Sequence, residues 1–550
     1  MTSTATPGRA QQRRPHIVLL MADQLAAPAM SLYGGTVMQT PALAQLAAEG
    51  VVFDNAYCNF PICAPSRYSM LTGRLPHAIG AFDNASELPS ELPTMAHYLA
   101  AAGYRTILAG KMHFVGADQL HGYRERLTTD IYPADFLWVP DWSKGPGYKP
   151  TGVGMGHVVD AGPCVRNMQI DYDEEVEHAA VQKIYDLARE GSADPVFLTV
   201  SFTHPHPPFV APQDHWDRYD PGRIDAPWVP EIPYERLDPH SQWLYLAHGQ
   251  DRHAVTPARV RNARHAYYAM ASYVDEKIAR VLEALQKSGM ADDAIVVFCG
   301  DHGEMMGERG MWFKQTFYEW SSRVPLVVRW PGRIAPGRRT APCSLVDLLP
   351  TFLDVASQDG AAHVSAVDPL DGHSLLPSLI GGVDDQMNDV ICEYSAEGVQ
   401  APSRMVRRGD FKYVYTLGLP PMLFDLRADP QELDDLAGRA PWADVQAQLH
   451  ARLVADWDPE ATNARIRASQ RRRLFLREIA LRDDAFPHWT FEARAGDSDR
   501  YVRPASATGA VGPKPRMRFP FVQPTPPDLP GRSAPDSSPP HAPNDKETAP

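Results

Sequence analysis

Five short runs rich in aliphatic residues constrain the fold of this chain more than any other feature: residues 17–21, 104–109, 196–200, 294–298 and 324–328. Short runs of this kind fit strands buried inside a sheet. Between them lie helical stretches at about residues 42–49, 94–102, 173–189 and 260–287, the first two closed by Gly50 and Gly103. Thr40, just before Pro41, is the expected N-cap of the first helix. The alternation predicts an α/β fold with a doubly wound, mostly parallel sheet. Open sheets of this kind hold ligands beyond the carboxyl ends of their strands. Three of those ends carry polar chemistry here: Ala22-Asp23-Gln24, Thr203-His204-Pro205-His206 and Asp301-His302-Gly303-Glu304.

A further stretch supplies a nucleophile. Cys63-Ala64-Pro65-Ser66-Arg67 reads as the opening of a helix that ends at Gly73. A cysteine there faces the positive end of the helix dipole, with Arg67 one turn further on, which favours anionic chemistry at position 63. Six cysteines in 550 residues do not make a disulfide framework, and Cys58 with Cys63 lacks the partners of a zinc site. A net charge of -14 argues against a general nucleic-acid binder. No run of about 18 apolar residues is present to span a membrane. The apolar run after residue 14 is too short for a signal peptide, so the expected location is cytoplasmic.

The length suits one large domain and a smaller one. The expected division is a disordered start (1–14), a catalytic α/β domain (15–384), a smaller α+β subdomain (385–460), a helix and extension (461–503) and a Pro-rich disordered tail (504–550). Residues 390–394 and 404–415 alternate like antiparallel strands around Gly409-Asp410, and a basic helix is expected at 468–482. Residues 114–170, rich in Gly, Pro and aromatic side chains, read as a long functional loop region.

Residues 63–74 resemble the first signature of the type I sulfatases, of the alkaline phosphatase superfamily. Cys63, Pro65, Ser66, Arg67, Leu71, Thr72, Gly73 and Arg74 fill its fixed positions, and residues 103–113 resemble the second signature. The resemblance implies that a sulfatase-maturing enzyme oxidises Cys63 to formylglycine. It also implies one divalent metal, held by Asp23, residue 63, Asp301 and His302. Oxygen-rich coordination suits calcium, magnesium or manganese, and the histidine tilts the choice from calcium towards manganese. Many sulfatases carry two adjacent acids at the first of these sites and Asp-Asn at the second; this chain has Asp23-Gln24 and Asp301-His302. Arg67, Lys111 and Lys314 become the cationic clamp, and His113 the base. His204, with Lys314, becomes the acid for the leaving oxygen, and His206 is its rival. An imidazole titrates near neutrality, as either role requires.

From about residue 15 to 503 the chain resembles choline sulfatases, most specifically at 110–136 and again at 161–164, 307–310 and 469–473. That resemblance implies hydrolysis of choline sulfate to choline and sulfate. A quaternary ammonium cannot donate a hydrogen bond, so aromatic faces and a carboxylate must hold it. Trp138 and Trp142 are the candidate aromatics. Residues 489–501, with Asp497 or Asp499, resemble an extension that reaches a neighbouring subunit's site, which implies a homo-oligomer, dimer or tetramer. Two stretches depart from the pattern: Gly152-Val153-Gly154, and the spacing from Trp489 to Tyr501. The alternatives are another alkyl or aryl sulfate, a phosphodiester or phosphonate monoester hydrolase with a larger basic pocket, or a binding protein if Cys63 stays a thiol.

Overall fold

His16–Ala22 (β1) is the strand around which the molecule is built, with every residue but the first buried. The computed structural model describes residues 14–150, 153–192, 194–358, 364–381 and 389–482. β1 belongs to an eight-stranded sheet with Val51–Phe53 (β2), Arg105–Gly110 (β3), Glu125–Arg126 (β4), Val196–Phe202 (β5), Ala294–Gly300 (β6), Leu326–Arg329 (β7) and Gly337–Arg339 (β8). The spatial order is β8-β2-β7-β6-β1-β5-β3-β4. β1 pairs in parallel with both β5 and β6, placing Ile17 opposite Phe197 and Ile295. A strand flanked on both sides and covered on both faces has no room for a polar side chain, which explains its unbroken apolar run. Only β7 breaks the parallel order, running antiparallel to β6 and β2. The expected doubly wound, mostly parallel sheet is the one observed.

The main helices match the sequence reading with modest changes of length. The segment expected at 173–189 is Met168–Glu190, capped by the Asn167 side chain, and that expected at 260–287 is Pro257–Ser288, capped by Thr256. The Thr40 cap is a correction. Thr40 makes no side-chain cap bond to the helix Pro41–Ala48. Asp275 of the long helix instead accepts the backbone N–H groups of Ala42 and Leu43, each at 2.9 Å. A carboxylate at a helix N-terminus is a stronger acceptor than a threonine hydroxyl, so the tertiary partner wins.

Past the large sheet, Val390–Tyr394, Ser403–Arg408, Phe411–Thr416 and Met422–Asp425 (β9 to β12) form an antiparallel sheet in sequence order. Gly409, at φ 57°, makes the tight turn between the second and third of these strands. A separate apolar cluster, including Ile391, Val406, Leu423, Leu453 and Trp457, packs on this sheet. The basic helix begins at Pro459, earlier than expected, and runs to Arg482. It buries only Thr462, Ile466, Gln470, Arg473 and Ala480, so its first turns carry no apolar stripe to read. No helix among the described residues is long and apolar enough to cross a membrane.

Candidate active site

The carboxyl ends of β1, β3, β5 and β6 meet the start of the helix Cys63–Thr72, and the site lies where they converge. Cys63 is the first residue of that helix, which Gly73 terminates in the left-handed conformation. Asn84 fixes the helix start by accepting the Ala64 N–H at 2.9 Å, and the Ser66 hydroxyl donates to the Asp301 carbonyl at 2.6 Å.

Around Cys63 Sγ lie Lys314 Nζ at 3.2 Å, His302 Nε2 at 3.3 Å and Asp23 Oδ1 at 3.8 Å. Burial would push the thiol pKa up, but Lys111, Lys314, His302 and His113 outweigh it and hold the group well below its ordinary value. An anion is therefore favoured at this point. Burial and Cys63 likewise oppose ionisation of Asp23, yet Lys111, His206 and Arg67 keep its carboxyl below the usual range.

One potential ligand atom from each of Asp23, Cys63, Asp301 and His302 lies within 4.8 Å of the others, all buried. His302 Nδ1 sits 3.1 Å from the Gly303 carbonyl. A carbonyl only accepts, so Nδ1 carries a proton, and Nε2 is the ring nitrogen that can serve as a ligand. Nε2 lies 3.8 Å from Asp23 Oδ1 and 3.7 Å from Asp301 Oδ1. Two carboxylates and an imidazole nitrogen that converge in this way fit a divalent cation with oxygen and imidazole ligands.

Arg67 is fully buried between the two acids. Its Nε donates to Asp301 at 2.8 Å, one terminal nitrogen to Asp23 at 3.1 Å, and the other to the Lys111 carbonyl at 2.6 Å and Ser201 Oγ at 2.8 Å. With four of its donors engaged, it braces the carboxylates more than it faces a ligand. Lys111, also fully buried, donates to Asp23 and lies 4.0 Å from the centre of the Tyr132 ring. Lys314 Nζ donates to Gln24 Oε1 at 2.7 Å as well as to Cys63. Its neighbours Phe313 and Gln315 have φ of 68° and 83°, strained values for side chains of this kind.

Comparison with known proteins identifies the family. The family model described as Sulfatase matches residues 15–358. This chain belongs to the sulfatase family. A second model, the C-terminal region of N-sulphoglucosamine sulphohydrolase, matches residues 307–457 of this sulfatase. It is 44% identical over 499 residues to a choline-sulfatase of Rhizobium meliloti (strain 1021), a match covering 89% of this chain and 96% of that one. To arylsulfatase K of Bos taurus it is 27% identical, over 81% of this chain and 84% of the relative. A phosphonate monoester hydrolase from Silicibacter pomeroyi superposes with a TM-score of 0.64 at 24% identity, over 80% of this chain and 94% of that one, a likeness of fold.

Within this sulfatase, His113 has φ 61°, and Asp130 holds that conformation by accepting the backbone N–H of Met112 at 3.0 Å and of His113 at 2.7 Å. Arg126 in turn holds Asp130 at 3.0 Å. Among the described residues, neither ring nitrogen of His113 finds a hydrogen-bond partner by geometry, and the ring neighbours Cys63. Burial, with Lys111 nearby, lowers its pKa, which favours the neutral ring.

The expectation for the second histidine is corrected. His204 is drawn away by Asp173, which accepts from its backbone N–H at 3.0 Å, lies 2.6 Å from its Nδ1, and accepts from Thr203 N at 2.8 Å. The histidine beside Cys63 is His206. Its Nδ1 donates to the Pro207 carbonyl at 2.6 Å, which leaves the lone pair on Nε2. Burial and Lys314 bring its pKa down to about 4.

Trp138 stands edge-on to His113 at 5.6 Å and to Tyr132 at 5.1 Å, at the rim of this group. Trp142 is turned inward: its indole N–H donates to the Ala396 carbonyl at 3.0 Å, and Arg467 lies 5.3 Å from its ring. Asp497 and Asp499 lie outside the described residues. Sequence reasoning passed over Gln24, Asp130, Tyr132 and Glu304. Glu304 accepts the Phe313 N–H at 2.6 Å and a bond from Gln24, so it anchors the Lys314 segment. Glu304 stood in view beside Asp301-His302, and Asp130 and Tyr132 lay inside the most specific run.

Proposed function

We propose that this enzyme hydrolyses a small alkyl sulfate, with choline sulfate as the leading substrate, through a formylglycine made from Cys63 by a sulfatase-maturing enzyme. The carrying observation is that Cys63 meets two lysines and two histidines beside a carboxylate–imidazole cluster.

Cys63 Sγ stands in for the oxygens of an aldehyde hydrate. A thiol would form a sulfuryl adduct with no quick route to release, whereas a hydrate has two hydroxyls. One attacks sulfur, passing its proton to Asp23, whose Oδ1 lies 3.8 Å from Cys63 Sγ, while the bond from sulfur to the alcohol oxygen breaks. Lys314 and His206 supply the proton to that leaving oxygen. An entering sulfate adds negative charge beside His206 and raises its pKa from the resting value, so Nε2 can hold the proton. The second hydroxyl then gives its proton to His113, the carbonyl re-forms and the bond to sulfate breaks. Water restores the hydrate. Lys111 and Lys314 offset charge on the sulfuryl oxygens, and Arg67 keeps Asp23 and Asp301 in place. A divalent cation held by Asp23, Asp301 and His302, calcium or manganese, supplies Lewis-acid polarisation when bound.

The choline assignment draws on the 44% identity to a choline-sulfatase and on Trp138, an aromatic ring packed beside Tyr132 and His113 that suits a quaternary ammonium. We assign Trp142 to packing. An oligomer in which residues near Asp497 complete a neighbouring site belongs to this proposal too. Sulfate release from choline sulfate and from an aryl sulfate, beside alcohol release from a phosphonate monoester, on protein whose Cys63 peptide mass shows conversion, tests it. Preference for choline sulfate is expected; turnover of the phosphonate alone would replace the reading with a phosphonate hydrolase.

A further inference from the structure

One half-buried ring touches three of the groups used above. The Tyr132 ring lies 4.0 Å from Lys111 Nζ, stacks on the His113 imidazole at 4.8 Å and 14°, and meets the His206 ring edge-on at 5.7 Å. Its hydroxyl is 3.2 Å from His206 Nδ1 and 3.4 Å from Nε2. Because Nδ1 already donates to the Pro207 carbonyl, the acceptor left for the hydroxyl is Nε2. Tyr132 is two residues beyond Asp130, the carboxylate that fixes the backbone of His113. The loop 126–132 therefore holds His113 by its main chain and His113, Lys111 and His206 by one side chain.

We propose that Tyr132 is a positioning residue for sulfuryl transfer: its hydroxyl orients His206 Nε2 towards the leaving oxygen, and its ring keeps Lys111 and His113 in register. The inference rests on the proposed reaction only for the naming of the step. Burial keeps the phenol protonated, so it is a donor to Nε2 in the resting site. When the leaving oxygen arrives, that oxygen takes the place of the phenol as partner of Nε2, and the phenol returns its hydrogen bond to solvent. No bond other than hydrogen bonds changes at Tyr132.

The test is kcat and KM for choline sulfate on Tyr132→Phe and Tyr132→Leu, with the thermal midpoint and the fraction of Cys63 converted measured on the same samples. Y132F keeps the ring and loses one hydrogen bond, so kcat should fall roughly tenfold with KM within about twofold. Y132L loses the ring contacts, and kcat should fall about a hundredfold or more, while Cys63 conversion is unchanged. An unchanged kcat in Y132F, or a change confined to KM, overturns the proposal whether or not Y132L folds. If the wild type cleaves only a phosphonate monoester, the substrate reading fails, and the same pair of variants assayed on that ester still decides the role of Tyr132.

Discussion

His204 and His206 sit two residues apart in one irregular segment, and only the second turns towards Cys63. Nothing local distinguishes them, because side-chain direction in such a segment follows no fixed period. Asp173, some thirty residues earlier on its own helix, decides the matter by claiming His204. Replacing His206 with Gln should therefore lower kcat by about 10²- to 10⁴-fold with the thermal midpoint unchanged. His204→Ala leaves the buried Asp173 short of a partner and should cost about 1–3 kcal/mol of stability, while kcat of the folded fraction moves far less. Denaturation curves beside steady-state kinetics separate the two. The cation cluster gives a companion expectation: His302→Ala should lose bound calcium or manganese, read by elemental analysis, together with kcat. Cys63, Lys111, His113, Asp23, Asp301 and His302, which the structure brings together, each lie in a signature or at a strand end and so stand out in the sequence; Lys314 lies in a loop and is reached only through the resemblance. The braced state of Arg67 was not legible, because it depends on two acids brought together from β1 and β6.

Whole elements were legible where one rule governs them. β1, β3, β5 and β6 are flanked and covered on both sides, so burial alone writes their sequences. The C-terminal helix follows another rule. It is held through single polar contacts, with Arg473 paired in two bonds, at 2.5 and 2.7 Å, to the buried Asp83. The next residue, Asn84, holds the start of the Cys63 helix through Ala64. Gln470 of the same helix accepts the Trp142 backbone N–H at 3.2 Å. The run at 469–473 thus ties the C-terminal helix to the segment that holds the nucleophile's helix. Arg473→Met should destabilise by about 3–5 kcal/mol by leaving Asp83 buried and unpaired. The double variant with Asp83→Asn should lose less than the two single effects added, a coupling that a double-mutant cycle measures directly.

At the scale of the molecule, the sheet brings strand ends that are distant in the chain to one point. The helix start supplies position 63, and two loops supply Lys314 and Tyr132. The central claim is that residue 63 acts through two oxygens, one to attack sulfur and one to release it. Cys63→Ser provides only the first of these. When this variant is mixed with choline sulfate and digested, the peptide that spans position 63 should carry the mass of one sulfo group. One choline should be released per protein molecule, with no further turnover. Continued turnover by the variant, with that peptide unmodified, would contradict the account.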